Sequence, residues 1–107
     1  MITRIVKLII DREKADEFQL FFEKNRSIIS NFKGCSHVEL LKENKKVNVF
    51  FTYSIWKNEE NLENYRNSIF FQGIWKKTKS YLIGKPEAWS LKSINSVSYT
   101  HLTLPTT

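Results

Sequence analysis

Between Tyr53 and Trp75 the chain reads YSIWKNEENLENYRNSIFFQGIW, which places Tyr53, Trp56, Tyr65, Phe70, Phe71 and Trp75 within one short stretch. Aromatic side chains at that density have two uses. They fill a core, or they wall a hollow that accepts a flat aromatic molecule, because rings meet well in offset-stacked and edge-on contacts. Chemistry inside such a hollow also needs a group that holds or moves a proton. Tyr53 and Tyr65 offer phenols, which donate hydrogen bonds but are poor bases near neutral pH. His37, the one histidine apart from His101 near the C-terminus, offers an imidazole whose ordinary pKa near 6.5 suits a general base.

Other chemistries find little support in the residue types. One cysteine, Cys35, and scattered carboxylates give no metal-ligand spacing. Glu59, Glu60 and Glu63 read as the acidic start of a helix, where negative charge is favoured. With three glycines in all, there is no phosphate-binding loop, nucleophile elbow or dinucleotide fingerprint. The net charge of +6 raises the question of nucleic acid. The basic residues are dispersed, however, with their densest group at Lys76, Lys77 and Lys79, and no nucleic-acid-binding pattern accompanies them. They read as a solvated face, and no nucleic-acid partner is expected. No apolar run approaches the roughly 20 residues of a membrane span. The opening MITRIVKLII is too short and too mixed with charge for a signal peptide. With a lone cysteine, these features lead us to expect a cytoplasmic protein.

The elements that must position the aromatics follow from periodicity. Residues 2–10 are rich in β-branched side chains and read as a strand. Asp11 is a good N-cap, and Ala15, Phe18, Phe21, Phe22, Ile28, Ile29 and Phe32 recur at three- and four-residue steps, which predicts an amphipathic helix over 12–32. Gly34 stands where a helix end wants a left-handed residue. CSHVELLKE reads as a strand, NKK as a hairpin turn, and VNVFFTYSIW, residues 47–56, as a strand apolar on both faces. Phe18, Phe22, Phe50 and Phe51 are the expected core. Asn58 and Ser68 can cap two short helices, the second running on with Phe71, Ile74, Trp75, Thr78 and Leu82 inward until Gly84 and Pro86 stop it. EAWSLKSI is the last strand, with Ala88 and Ser90 on one face and Trp89 and Leu91 on the other. The fold class is therefore α+β, a ferredoxin-like βαββαβ arrangement with a four-stranded antiparallel sheet. Its helices cover one face only. A strand apolar on both faces then calls for a second copy of the sheet, so a homodimer is expected.

On this architecture, Tyr53-Ser54-x-Trp56, the capped NEENLENY segment and Ser68-x-x-Phe71-x-x-x-Trp75 resemble the antibiotic biosynthesis monooxygenase (quinol monooxygenase-like) family, whose fold is the dimeric α/β barrel. F-x-G-C at 32–35 and K-P-x-A at 85–88 fit as well, and the resemblance covers most of residues 1–94. It implies a monooxygenase that oxidises a quinol or other hydroxylated aromatic small molecule with O2, with no metal or flavin cofactor. It also implies a pocket between sheet and helices, with Trp56, Phe71, Trp75 and Tyr53 binding substrate and Tyr65 and His37 as the catalytic candidates. Many members carry histidine where Tyr65 stands. The haem-degrading branch places its histidine iron ligand where this chain has Trp75, so haem degradation is not expected. A non-catalytic dimeric module that binds an apolar aromatic ligand is the alternative.

The end of the chain differs in character. SVSYTHLTLPTT carries no charge and is rich in Ser and Thr. Residues 97–106, VSYTHLTLPT, resemble one translated frame of a transposase-type sequencing adapter. The native sequence is accordingly expected to end near Asn95, with residues 1–94 forming one domain and 95–107 a non-native tail; a short polar tail is the alternative. Tyr99 and His101 are set aside as site candidates.

Overall fold

The computed structural model describes residues 1–95; the adapter-like segment lies outside them. β1 (Ile2–Ile9) leads through a single 3-10 turn (Arg12–Lys14) into α1 (Ala15–Ser30). β2 (Cys35–Lys42) and β3 (Val49–Trp56) follow, then α2 (Glu59–Arg66), α3 (Ile69–Lys79) and β4 (Glu87–Leu91). The strands form one sheet in the order β2-β3-β1-β4, with every neighbouring pair antiparallel. This is the α+β, ferredoxin-like fold read from the sequence, with its second helical unit split in two.

The caps expected from the sequence are present. Asp11 accepts a hydrogen bond from the Glu13 amide, Asn58 from the Asn61 amide at 2.8 Å, and Ser68 Oγ from the Phe71 amide at 3.0 Å. Ser68 Oγ also donates to the Tyr65 carbonyl at 2.7 Å, which ties the end of α2 to the start of α3. One hydroxyl thus satisfies a free amide of one helix and a free carbonyl of the other, and it fixes the turn between them.

Several boundaries differ from expectation. The helix expected over 12–32 begins as a 3-10 turn and ends at Ser30. Gly34 lies in the turn beyond it with φ +87°, directly before β2. β3 begins at Val49 because Asn48 is drawn off to Ile10: the Ile10 amide donates to the Asn48 carbonyl, and the buried Asn48 Nδ2 donates to the Ile10 carbonyl. α3 stops at Lys79, well before Gly84, because Tyr81 and Ile83 pair their backbone with Asp11 and Ile9 instead. β4 ends at Leu91.

Alternation sends the even-numbered residues of β1 and β3 toward the helices and the odd-numbered ones to the opposite face. The helix-facing core falls into two clusters. One gathers Ile2, Phe22, Ile29, Val38, Trp56, Leu62 and Tyr65, and the other Leu8, Ile10, Ala15, Phe18, Phe50 and Tyr81. Phe51, expected in the core, points to the opposite face and is only partly buried, because it has the parity of Tyr53 and Ile55. Ile28 is likewise exposed, on the solvent side of α1.

Candidate active site

Between the two core clusters the sheet and helices enclose a cavity of about 490 Å³, within the roughly 300–1,000 Å³ range of small-molecule pockets. Its floor is Arg4, Val6 and Leu8 of β1, Val38 of β2, Thr52 and Ser54 of β3 and Ala88 of β4. Its roof is Phe18, Phe21 and Phe22 of α1, Leu62, Tyr65 and Arg66 of α2, and Phe71, Ile74 and Trp75 of α3. The hollow follows from the floor's residue types. At mid-sheet, Val6 is flanked by Thr52 and Ala88, and Arg4 by Ser54 and Ser90. The flanking Thr52, Ser54, Ala88 and Ser90 are small and leave space beneath the helices, whereas Phe50 and Trp56 fill the space on either side.

Aromatic rings set the shape of one wall. The Tyr65 ring stacks on Trp56 at 5.0 Å and 24° between planes, and meets Phe32 and Phe71 edge-on at 4.9 and 5.0 Å. Phe71 and Trp75 lie nearly parallel, 6° apart in orientation with centroids 6.3 Å apart. Phe71 and Trp75 sit one turn apart on α3, so both project to the same side. Trp56 is wholly buried behind Tyr65, where its Nε1 donates to Ser54 Oγ at 2.9 Å. It backs the wall rather than facing the hollow.

Burial, with the neighbouring Cys35 as a smaller contribution, pushes the Tyr65 phenol far above the ordinary tyrosine range. Tyr65 is therefore a protonated donor at neutral pH, not a base. Arg4 is also perturbed: burial lowers its pKa, Arg66 adds to the lowering, and Glu63 partly offsets it. Arg4 Nη1 donates to Ser90 Oγ at 2.9 Å, while Arg66 Nη1 donates to Glu63 Oε2 at 2.9 Å.

Of the six site residues expected from the sequence, Tyr65, Phe71 and Trp75 line this cavity and Trp56 supports it. His37 and Tyr53 are not brought to it. His37 pairs with Ile55, and Tyr53 with Ile5 and Glu39. That parity puts both on the sheet face turned away from the helices, where their rings meet edge-on at 5.3 Å and His37 Nε2 contacts Glu39 Oε1. Among the described residues no three His, Cys, Asp or Glu side chains gather as metal donors, and no helix is long and apolar enough to cross a membrane. Sequence reasoning missed Arg4, Ser54 and Arg66. A signal for Arg4 exists, since it has the parity of Ile2, Val6, Leu8 and Ile10 and is the one charged residue on that face of the strand.

Solved structures share the whole architecture at low sequence identity. A conserved protein from Methanosarcina mazei Go1 is 20% identical with a TM-score of 0.79, the match covering 86% of this chain and 92% of that one. A mutant of SnoaB, a cofactor-independent oxygenase from Streptomyces nogalater, is 14% identical with a TM-score of 0.80, covering 90% of this chain and 95% of its own. Rv0793 from Mycobacterium tuberculosis is 10% identical with a TM-score of 0.81, covering 91% and 98%. At these identities the likeness is one of fold. No curated protein sequence matches the chain. The family model for antibiotic biosynthesis monooxygenase matches residues 1–77, from β1 into α3 and across most of the cavity wall, and the chain belongs to that family.

Proposed function

We propose that the chain is a cofactor-independent monooxygenase that oxidises a quinol or similar hydroxylated aromatic with O2. The observation that carries this reading is the cavity itself, with Tyr65, Phe71 and Trp75 arranged as flat walls around a space of small-molecule size. Membership of the family supports it, as does the description of the fold relative from Streptomyces nogalater as a cofactor-independent oxygenase. In this scheme the substrate's phenolic proton passes to solvent, the anion gives one electron to O2, and the resulting radical pair recombines at a ring carbon as a peroxide, whose departing hydroxide takes a proton back. Loss of water then leaves a quinone: one oxygen atom stays on the carbon that gave up its hydrogen, and the other departs in the water. The Tyr65 hydroxyl, held protonated by burial, donates to the substrate oxygen and stabilises the anion that ionisation leaves there. The aromatic walls limit the bulk water around the reacting anion.

The uncovered sheet face supports a homodimer. Ile5, Phe51, Tyr53 and Ile55 are only half-buried on it, and Leu41, Trp89 and Leu91 are exposed, which together make an apolar surface that no element of this chain covers among the described residues. A second sheet packed on it would complete the barrel and bury His37 and Tyr53 between the protomers. Light scattering at micromolar concentration tests this, and a monomer would contradict it.

One observation favours the second reading, a non-catalytic module that binds an aromatic ligand. Among the described residues the cavity lining contains no histidine, and its buried tyrosine is held in the protonated form. Oxygen uptake with hydroquinones and naphthohydroquinones separates the two. Uptake above autoxidation that falls at least about tenfold in Tyr65→Phe and Trp75→Ala supports the enzyme. Ligand-dependent tryptophan quenching without turnover supports the binder. His37→Ala reports whether the opposite sheet face takes any part.

A further inference from the structure

The cavity's charged groups are unevenly matched. Among the described residues three charged side chains line it: Arg4 from β1, and Arg66 and Glu63 from α2. The two guanidiniums share one carboxylate, and that carboxylate is already engaged by Arg66 at 2.9 Å. Arg4 is left with a neutral hydroxyl, Ser90 Oγ, as its hydrogen-bond partner among the described side chains. It lies half-buried at mid-sheet between Ser54 and Ser90. A cation partly withdrawn from water beside a second cation is disfavoured unless an anion compensates it. Burial and Arg66 both act against Arg4's charged form, yet a guanidinium keeps its charge in proteins. The remaining walls are apolar or uncharged.

We propose that the physiological ligand is an aromatic acid, whose ring lies against Phe71 and Trp75 and whose carboxylate is held by Arg4. The inference rests on the cavity being the ligand site, as in the reading above, and names the class of molecule that enters it. One net positive charge in an otherwise uncharged hollow matches a monoanion better than a neutral quinol or a doubly charged phosphate ester. The guanidinium fork fits a carboxylate bidentately, and Arg66 adds field without needing contact. Arg4 is then a specificity-determining residue: it selects which hydroxylated aromatics bind and orients the ring from its acidic end.

Isothermal titration calorimetry of the full chain at pH 7 with 1-hydroxy-2-naphthoate and with 1-naphthol, which is uncharged at that pH, tests this. The acid is expected to bind at least about tenfold tighter. Arg4→Gln should weaken the acid by about 10- to 100-fold, the scale of a charge-assisted hydrogen bond, and leave 1-naphthol within about twofold. Arg4→Lys should recover only part of the loss, because the charge remains and the fork does not. Arg66→Gln, on the partly exposed side of α2, should weaken the acid selectively too and serves if Arg4→Gln does not fold. Lys76→Gln, which removes one charge away from the cavity, should change neither ligand. Equal affinity of the two ligands for the wild type, or an equal loss of both in Arg4→Gln, would overturn the proposal and leave the cavity reading standing. Binding of neither ligand to the folded protein would remove the cavity reading, and this inference with it.

Discussion

Gly34→Ala is expected to destabilise the domain strongly, and the size of the effect can be worked from two independent causes. Gly34 has φ +87°, in the left-handed region, where a Cβ costs about 1–2 kcal/mol. A Cβ built there would also lie 2.4 Å from Asn61 Cγ and 2.5 Å from Asn61 Cβ and Oδ1. Asn61 is buried in the first turn of α2, with its amide held by Asn58, so it has little room to yield. Overpacking of that kind costs about 1–3 kcal/mol more. The total, about 2–5 kcal/mol, is a large part of the roughly 5–15 kcal/mol that holds a domain together. In urea it corresponds to a midpoint shift of about 1–3 M at ordinary m-values. Asn61→Ala should rescue little, since its own Cβ is one of the clashing atoms. Asn61→Gly alone should cost about 1 kcal/mol in the helix, but combined with Gly34→Ala it should show a favourable coupling of at least about 1 kcal/mol. The effect should reach the cavity as well. The Gly34 carbonyl accepts from the Lys57 amide at 2.7 Å and so seats the start of the segment that carries Tyr65. A shift below about 0.5 M with additive double mutants would refute the close-packing argument.

Ser54→Ala should cost about 1–3 kcal/mol in urea unfolding, because it leaves the wholly buried Trp56 Nε1 without its acceptor. Adding Trp56→Phe to that variant should then cost less than it does in wild type, and full additivity would contradict the assignment. Alkaline pH should destabilise the protein through Tyr65. Its folded pKa is raised by burial, so its contribution is complete below the unfolded value near 10 and is lost as pH rises above it. Urea midpoints should therefore hold steady from pH 7 to 9 and fall above about 10, less steeply in Tyr65→Phe. Tyr81, raised by burial and by Glu17, should keep part of the slope in that variant. An unchanged slope in Tyr65→Phe would count against a buried, protonated phenol.

Much of the scaffold was legible because it is written in local rules. Asp11, Asn58 and Ser68 are cap residues and act as caps, and Phe18 and Phe22 recur at helical spacing and are buried. Boundaries set by long-range pairing were not legible. Nothing local to residues 80–83 shows that Tyr81 and Ile83 will bond Asp11 and Ile9 and so end α3 early, or that Asn48 will be held by Ile10 and shorten β3.

The candidate site divides along the same line. Phe71 and Trp75 are one turn apart on a single helix, so their common side follows from the sequence alone, as does the place of Tyr65 on the apolar side of α2. His37 and Tyr53 could be placed on strands but not on a face. A strand's parity has no absolute sense until β1, β3 and the helices pack together and one side becomes the interior. That choice, made by the burial of Phe50 and Trp56 under α1 and α2, turned His37 and Tyr53 away from the hollow and turned Arg4, the one charged residue on its otherwise apolar strand face, toward it. Side-chain type and spacing determine which faces exist; only the packing of distant segments decides which of them meets the ligand.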